Sequence, residues 1–346
     1  MNNNRDLRKI KERITITHIH NEKEWSALLA DNSLLTLFNS WSWGEYKSNL
    51  GWKAVRVIIK VDGSIDNTGA LLMQIKEYGP VRIYLIQGGI RFSMCNEEIL
   101  TAATEVLLTE HFHLRCRDVV IINYYDGIKD EHSRSLLSLG FNPVINNKMY
   151  TFHVDFTNSL VADESMLHKN WRHNLRRSKK NPNLTMRWCQ STKERTRAFN
   201  SLIRMYEELK ARKAFRSSIN AERIKDIVIK DKRFLIAIAE LDNKLAAVRI
   251  GYHSTDTVTD FLTASNELAI KTYANYLLLW SLVKKSESLG VKRFDCGGID
   301  PLDNKGVYYF KRGLTGQLKL NGPYWIYNKS KFLRRFISIL FYSRTS

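Results

Sequence analysis

One stretch near the end of the chain combines residue types that could bind an anion or stabilise a developing negative charge. It runs from Phe294 to Gly316 and reads FDCGGIDPLDNKGVYYFKRGLTG. It contains a carboxylate at Asp295, the glycine pair Gly297 and Gly298, and a lysine at Lys311. Bare backbone beside a lysine suits an anionic ligand or an oxyanion. A glycine loop with a surface lysine is the alternative interpretation.

Two predicted elements position these groups. A strand end is expected from Val291 to Asp295, and a short helix is expected from Val307 to Lys311. Gly313 and Gly316 end that helix, because glycine is frequent just after a helix C-terminus. The carboxylate, the glycine pair and the lysine are therefore expected to lie close together at the end of a strand.

A second stretch, HKNWRHNLRRSKKNP, predicts an amphipathic helix with a basic face. Leu167, Trp171 and Leu175 recur every four residues and form its apolar stripe. Arg172 and Arg176 lie outside the stripe, and the planar guanidinium group binds phosphate through paired hydrogen bonds. We expect a phosphate-facing surface here, with a solvated charged face as the alternative.

The two halves of the chain repeat one order of elements, namely helices, antiparallel strands, a helix after a strand, and a further strand. Strands of the first half are predicted at residues 54–61, 69–75, 81–87, 119–123 and 150–154. In the second half, strands are predicted at 234–240, 245–252, 258–264 and 291–295, and helices at 164–180, 193–213 and 272–288.

The composition limits the classes of protein. The 346 residues suffice for two domains, and 44% of them are hydrophobic. The formal net charge of +19 favours nucleic acid, anionic lipid or phosphorylated substrates as partners. No apolar run could span a membrane and the start is polar, so the cytoplasm is the expected location. The four cysteines stand singly, which predicts reduced thiols, and no metal site is expected.

The late stretch resembles the closing motif of the FemABX family, whose members transfer amino acids from aminoacyl-tRNA to peptidoglycan precursors. The family pattern has a strand ending in Asp, then Gly-Gly-Ile, then a glycine, a tyrosine, Phe-Lys and Phe-Gly-Gly. This chain keeps Asp295, Gly298, Gly306, Phe310 and Lys311, and it has Leu-Thr where the family usually has Phe-Gly. The resemblance covers about residues 35 to 325.

The resemblance implies an α/β (α+β) fold of two tandem GNAT-like, that is acetyltransferase-like, domains without a coiled-coil arm. The expected boundaries are residues 1–155 for the N-terminal domain and 156–320 for the C-terminal domain. Residues 321–346 form a basic, amphipathic tail that is expected to pack back on the first domain. A peripheral contact of this tail with a membrane is the alternative.

The resemblance also implies residues that bind substrate phosphates. Lys47 in WSWGEYKSNLGWK and Arg212 in YEELKARKAF match family positions that contact the acceptor. Arg172 and Arg176 match a basic helix of the family, and we expect them to face the phosphates of tRNA or of the acceptor.

Lys311 and Asp295 are the residues that the resemblance implies for catalysis. Lys311 is expected to stabilise the oxyanion or the tRNA leaving group. Asp295 is expected to orient the loop or to accept a proton from the attacking amine. Gly297, Gly298 and Phe310 are expected to contact substrate.

The expected function is that of an aminoacyltransferase without a cofactor. Aminoacyl-tRNA would be the donor, and a phosphorylated, peptide-bearing acceptor such as a peptidoglycan precursor would be the partner, in the cytoplasm or at the inner face of the membrane. An acyl-CoA-dependent N-acyltransferase that uses acetyl-CoA is one alternative, although the segment ASNELA lacks the glycines of a pyrophosphate loop. A peptide or natural-product amine as acceptor, and a non-catalytic binder of tRNA or membranes, are the others.

Overall fold

The computed structural model describes residues 3–61, 67–94, 96–125, 130–144, 150–156, 163–212, 219–302, 304–314 and 316–345. The side chains of residues 3–6, 210–212, 336 and 340–345 lie outside this description. The chain forms two compact units. Unit 1 comprises Met1–Tyr150 together with Leu320–Ser346, and unit 2 comprises Thr151–Lys319.

Helices and strands alternate along the first part of the chain. Its elements are α1 Asn3–Glu12, β1 Ile14–His18, α2 Glu22–Asp31, α3 Trp41–Asn49, β2 Lys53–Val61, β3 Thr68–Tyr78, β4 Val81–Gln87, β5 Arg91–Phe92, α4 Glu97–Val106, β6 Val119–Asn123, α5 Asp130–Ser138, β7 Asn142–Val144 and β8 Tyr150–Asp155.

The second part of the chain has a similar alternation. Its elements are α6 Lys169–Lys180, β9 Leu184–Trp188, α7 Thr192–Arg212, α8 Ala221–Lys230, β10 Phe234–Leu241, β11 Lys244–His253, β12 Thr257–Ser265, α9 Glu267–Thr272, α10 Ala274–Ser288, β13 Arg293–Asp295, α11 Lys305–Arg312, β14 Gln317–Leu320, β15 Tyr324–Tyr327 and α12 Lys331–Thr345.

Unit 1 is built on a sheet with the strand order β1-β2-β3-β4-β6-β15-β7, and β5 pairs with β3. The strands are antiparallel except for β4 and β6, which are parallel. All five residues of β6 are buried, as the continuous apolar run Val119–Asn123 predicts. The sheet surrounds a core that includes Leu71, Ile86, Val120 and Trp325.

Unit 2 has a sheet with the order β14-β8-β13-β12-β11-β10-β9. Here β12 and β13 form the parallel pair, with Val258 opposite Phe294 and Thr259 opposite Asp295. Each unit thus has a parallel pair among antiparallel strands, which confirms the predicted repeat of an acetyltransferase-like arrangement.

The strand predicted to close the first half, β8, belongs by its pairing to the second sheet, where Val154 lies opposite Phe294. In the first sheet, β15 pairs with β6 and places Trp325 opposite Ile122. Alternation of side chains predicts that a strand forms, but it does not specify its partner.

Two predicted helices begin later than expected. The helix predicted at 164–180 starts as a 3₁₀ turn, and extended backbone at Leu167 separates that turn from α6. The helix predicted at 272–288 is the continuous α10, which begins only after Tyr273, whose φ of 59° lies in the left-handed region. Arg177 donates a hydrogen bond of 2.7 Å to the Tyr273 hydroxyl, so a contact distant in sequence helps to hold this residue between α9 and α10.

No helix within the described residues is both long enough and apolar enough to cross a bilayer. The last helix, α12, lies in unit 1, where Ile337 packs beside β7 and β15 residues of a small apolar cluster.

Candidate active site in the second unit

The segment after β13 passes the neighbouring strand so closely that it requires glycine. Gly297 has a φ of +68°, and a Cβ at this position would lie 2.4 Å from the backbone oxygen of Asp260 on β12. Because an L side chain is disfavoured at this φ and the neighbouring atom is backbone, a larger residue would displace the strand or the loop.

Asp295 connects this loop to strand β8 through hydrogen bonds. Its Oδ1 accepts a hydrogen bond from the Thr151 hydroxyl at 2.5 Å and another from the Gly297 amide at 2.8 Å. The same oxygen lies 3.8 Å from Nε2 of His153. The Thr151 hydroxyl oxygen also lies 2.9 Å from the Gly297 carbonyl oxygen. The carboxylate is thus already engaged by donors that shape the loop.

Lys311 returns to this loop from the last turn of α11. That helix begins after Asn304, whose side chain accepts from the Val307 amide. The Lys311 ammonium donates to the Gly298 carbonyl oxygen at 3.3 Å and lies 3.8 Å from Oδ2 of Asp260. The Lys311 side chain is only 12% exposed, so Lys311 is not a surface lysine in bulk solvent. The sequence prediction that the lysine and the glycine pair come together is correct in this geometric sense.

Beneath Lys311 lies a buried ion pair that the sequence analysis missed. Arg249 on β11 donates to Oδ2 of Asp260 at 2.8 Å, and both side chains are at most 5% exposed. Burial of a charged side chain is costly unless the group is paired and hydrogen-bonded, and each of these two residues provides the partner of the other. Arg249 and Asp260 are the only charged residues in the interiors of their strands, and this pattern is a sequence signal because a buried charge needs a partner.

Two side chains near this pair, Tyr206 and Cys296, have pKa values above their ordinary range. Burial raises the pKa of Tyr206 to about 12, and the negative charge of Asp260 acts in the same direction. Burial likewise raises the pKa of the Cys296 thiol well above its usual range. Both groups therefore stay neutral at pH 7.

The opposite face of α11 borders an open pocket. The Phe310 carbonyl accepts a hydrogen bond of 2.9 Å from the indole nitrogen of Trp171, and the Phe310 ring lies 5.0 Å from that of Tyr276. Gly313 is needed here, since a Cβ would lie 2.3 Å from the Trp171 ring. The pocket has a volume of about 940 Å³, and Phe310 is one of its lining residues.

Arg172 and Arg176 lie together on α6, at a smaller pocket of about 460 Å³. Arg172 donates to the Ser165 carbonyl oxygen at 3.2 Å, and Arg176 donates to Glu164 at 3.4 Å. Lys179 pairs with the same carboxylate at 2.5 Å. Part of the predicted basic face is therefore neutralised within the chain.

Lys47 lies on α3 of unit 1. Its ammonium is 5.4 Å from the centre of the Trp43 ring and 5.6 Å from that of Trp52, and Lys76 is 5.7 Å from the same Trp52 ring. Burial, followed by the charge of Lys76, lowers the pKa of Lys47 to about 8. Arg212 ends α7, and its side chain lies outside the described residues.

Residues 166–312 match the family model described as Acetyltransferase (GNAT) domain. The match contains α6, the Arg249–Asp260 pair and Lys311. It supports the expectation that the chain is an acyltransferase. No curated protein matches the sequence significantly.

Solved structures agree with the fold. FemX aligns with a TM-score of 0.74 at 15% identity, over 94% of this chain and 100% of that one. The C-terminal domain of an Agrobacterium fabrum protein assigned as a lysylphosphatidylglycerol synthetase aligns at 0.55 and 12% identity, over 78% and 83%. L-PGS from Bacillus licheniformis aligns at 0.53 and 15%, over 95% and 98%. The chain therefore has a FemABX-like fold of two acetyltransferase-like units, with a GNAT domain at residues 166–312.

Proposed function

We propose that the protein is an aminoacyltransferase that moves an amino acid from aminoacyl-tRNA to the amine of a peptide-bearing acceptor. The observation that carries this proposal is the Lys311 ammonium, held between the Gly298 carbonyl and Asp260 where β13 ends and its partner β12 continues. The likeness to FemX and to the lysylphosphatidylglycerol synthetase domain supports the aminoacyl donor, and the net charge of +19 suits its phosphates. Because aminoacyl-tRNA is a cytoplasmic molecule, we place the reaction there.

Lys311 stabilises charge in this scheme. The neutral acceptor amine attacks the ester carbonyl, and the carbonyl oxygen becomes an oxyanion. Collapse of the tetrahedral species forms the amide bond and breaks the ester C–O bond, and the proton lost by the amine ends on the ribose oxygen that departs. A fixed ammonium group in a poorly hydrated place lowers the energy of the oxyanion or of the leaving oxygen. The donor arrives activated, so no cofactor is needed.

Asp295 has a positioning role in this proposal. Its Oδ1 already accepts from Thr151 and from the Gly297 amide, so it holds the turn that presents the Gly298 carbonyl to Lys311. Of the two roles that the sequence leaves open for Asp295, these contacts favour orientation of the loop.

The acceptor is proposed from the cationic residues. Lys47 and Arg212 match phosphate-binding positions of the family, and a phosphate near Lys47 would relieve its repulsion with Lys76. A peptidoglycan precursor combines phosphate and peptide amine. A peptide or natural-product amine stays the alternative, because Leu-Thr replaces Phe-Gly after the closing motif.

An acyl-CoA-dependent N-acyltransferase is the second candidate, and the match to a GNAT domain is the observation in its favour. The segment between β12 and α10 argues against an acyl-CoA donor. There the chain forms α9 and a left-handed Tyr273, and it lacks a glycine-rich loop that would leave backbone amides free for a pyrophosphate.

Product analysis separates the two. The purified protein is incubated with mixed aminoacyl-tRNAs, acetyl-CoA and a muropeptide precursor, and products are identified by mass spectrometry. An aminoacyl adduct that disappears when the tRNA is deacylated supports the proposal. An acetyl adduct alone, or no adduct with either donor, contradicts it.

A further inference from the structure

The last helix, α12, has one side packed on unit 1 and another side in solvent. On the packed side, Arg334 is buried and its guanidinium lies over the Tyr327 ring at 5.3 Å. Ile337 packs beside residues of β7 and β15. On the other side, Phe332 is 80% exposed and Ile339 is 60% exposed. The helix therefore presents two large apolar side chains that unit 1 leaves uncovered.

These exposed side chains share one face of the helix. Phe332 and Ile339 are seven residues apart, which places them within about 20° of each other around the helix axis. Lys331 and Arg335 are exposed as well and lie along one flank of this face. Arg334 points about 160° away from Phe332, towards unit 1. We call Lys331, Phe332, Arg335 and Ile339 the outer face of α12.

The start of α12 is fixed to unit 1 by hydrogen bonds, so the outer face has a defined orientation. The buried Asn328 side chain donates to the backbone oxygens of Cys116 and Asp118 at 2.9 and 2.8 Å. Its Oδ1 accepts from the Ser330 amide at 2.7 Å, and the Ser330 hydroxyl accepts from the Leu333 amide at 3.4 Å. A face that is already ordered loses little conformational entropy when it docks on a partner.

The surroundings of the outer face are cationic. Lys329 is exposed just before the helix, and Arg117 is exposed next to Cys116, the residue whose carbonyl binds Asn328. Residues 321–346 contain five lysine or arginine residues and no aspartate or glutamate. The first turn of α12 also has no acidic residue, although a helix N-terminus favours negative charge. These cations therefore do not stabilise the helix, and they suit an anionic partner.

We propose that the outer face of α12 docks on the surface of an anionic lipid bilayer, with Phe332 and Ile339 in the interface and Lys331 and Arg335 among the headgroups. Apolar side chains flanked by cations are typical of helices that lie in a membrane interface. A second copy of the chain fits this face less well, because self-pairing would bring its cations together. A nucleic acid would contact the cations, but Ile339 has no ring on which a base could stack.

This inference concerns the place where the protein works and goes beyond the proposed reaction. Two apolar side chains and a few cations give reversible attachment and not permanent insertion. Attachment therefore depends on the anionic lipid content and on salt, which screens the attraction between cations and headgroups. Because neither donor nor acceptor takes part, the result of a vesicle-binding assay is independent of the result for the aminoacyltransferase.

The first test is co-sedimentation of the full chain with vesicles made of equal parts of phosphatidylglycerol and phosphatidylcholine. Phe332→Ser/Ile339→Ser is expected to weaken binding by at least about 10-fold, since burial of two apolar side chains is lost. Thermal unfolding should be unchanged, because both side chains are exposed. Tyr78→Ser/Met94→Ser is the matched control, with side chains that are 52% and 66% exposed in unit 1, and it should bind as the wild type does.

The second test removes the charges. Lys331→Gln/Arg335→Gln should weaken binding to the same vesicles by about 30-fold, at roughly 5-fold for each cation near the surface. Lys53→Gln/Lys60→Gln, which changes two exposed lysines of β2, should leave binding unchanged. Vesicles of phosphatidylcholine alone should bind the wild type far more weakly than the anionic ones do.

Wild-type vesicle binding by Phe332→Ser/Ile339→Ser, or equal binding to phosphatidylcholine vesicles, would overturn the inference. Release of the protein by inorganic phosphate, but not by sodium chloride of equal ionic strength, would assign the cations to a free anion and contradict docking. A dimer that forms without lipid and is lost in Phe332→Ser/Ile339→Ser would assign the face to a second copy, which also contradicts it.

Discussion

The Lys311 ammonium lies 3.8 Å from Oδ2 of Asp260, the same oxygen that accepts a 2.8 Å hydrogen bond from Arg249. Two basic side chains, Lys311 on α11 and Arg249 on β11, thus share the Asp260 carboxylate of β12 in unit 2. In the proposed mechanism the buried arginine compensates the aspartate, and the lysine acts on the substrate.

Removal of Arg249 should be strongly destabilising. Arg249→Met leaves the Asp260 carboxylate buried without its nearest cation, and the free energy of unfolding is expected to fall by about 3–5 kcal/mol. Arg249→Met/Asp260→Leu should lose less than the single variant, because no uncompensated carboxylate remains. Urea unfolding measures both.

Arg187→Met is the control for this prediction. Arg187 pairs with Glu194 and Glu240, but its side chain is 42% exposed, so the expected cost is under about 1 kcal/mol. If Arg187→Met and Arg249→Met lowered the free energy of unfolding equally, the larger contribution assigned to the buried pair would be wrong.

Gly297→Ala should damage both stability and turnover. The left-handed backbone alone costs a non-glycine residue roughly 1–2 kcal/mol, and the contact of the new Cβ with the Asp260 carbonyl adds to it. Displacement of the loop also moves the Gly298 carbonyl away from Lys311. Gly306→Ala, where a Cβ meets no atom within 4 Å, should be neutral or slightly stabilising in the same thermal unfolding assay. Indistinguishable melting temperatures for the two variants would contradict this account.

Lys47 should make stability depend on pH. Its pKa is lowered to about 8 in the folded protein, whereas an unfolded lysine titrates near 10.5. Between these values the unfolded state binds more protons, so stability rises with pH across this window as the cost of the buried charge disappears. Lys47→Met removes that cost, and it should unfold at higher urea than the wild type at pH 7, with a smaller difference at pH 10.

Lys53→Met provides the comparison, because Lys53 is an exposed lysine at the start of β2. It should show no such dependence on pH. A Lys47→Met variant that is less stable than the wild type at pH 7 would mean that the Lys47 ammonium is held favourably, against the burial and repulsion described.

The sequence predicted the parts of the fold that depend on local pattern. The side chains of Asn21 and Asn96 cap α2 and α4 by accepting from amides within three residues, and the apolar run of β6 forms a fully buried strand. Lys311 and Gly298 are 13 residues apart and are joined by one turn and the short helix α11, so their proximity could be predicted. These features follow from short segments of the sequence.

Features that depend on distant contacts were not predictable. Tyr273 interrupts a helical pattern where Arg177, from another helix, meets its hydroxyl. Strand β8 pairs within the second sheet and β15 within the first sheet. The periodicity of side chains does not specify the sheet to which a strand belongs. Arg249 and Asp260 each stand out as a charged residue inside a strand, but only the packing of the fold shows that they pair with one another.

The most direct test of the account is the turnover of Lys311→Met with charged tRNA and acceptor. The Arg249–Asp260 pair remains in this variant, so it should fold and unfold as the wild type does, while kcat falls by at least about 100- to 1,000-fold. Lys305→Met, an exposed lysine at the start of the same helix, should retain full activity. A Lys311→Met enzyme that forms the amide at the wild-type rate would contradict the assignment of the oxyanion-stabilising group.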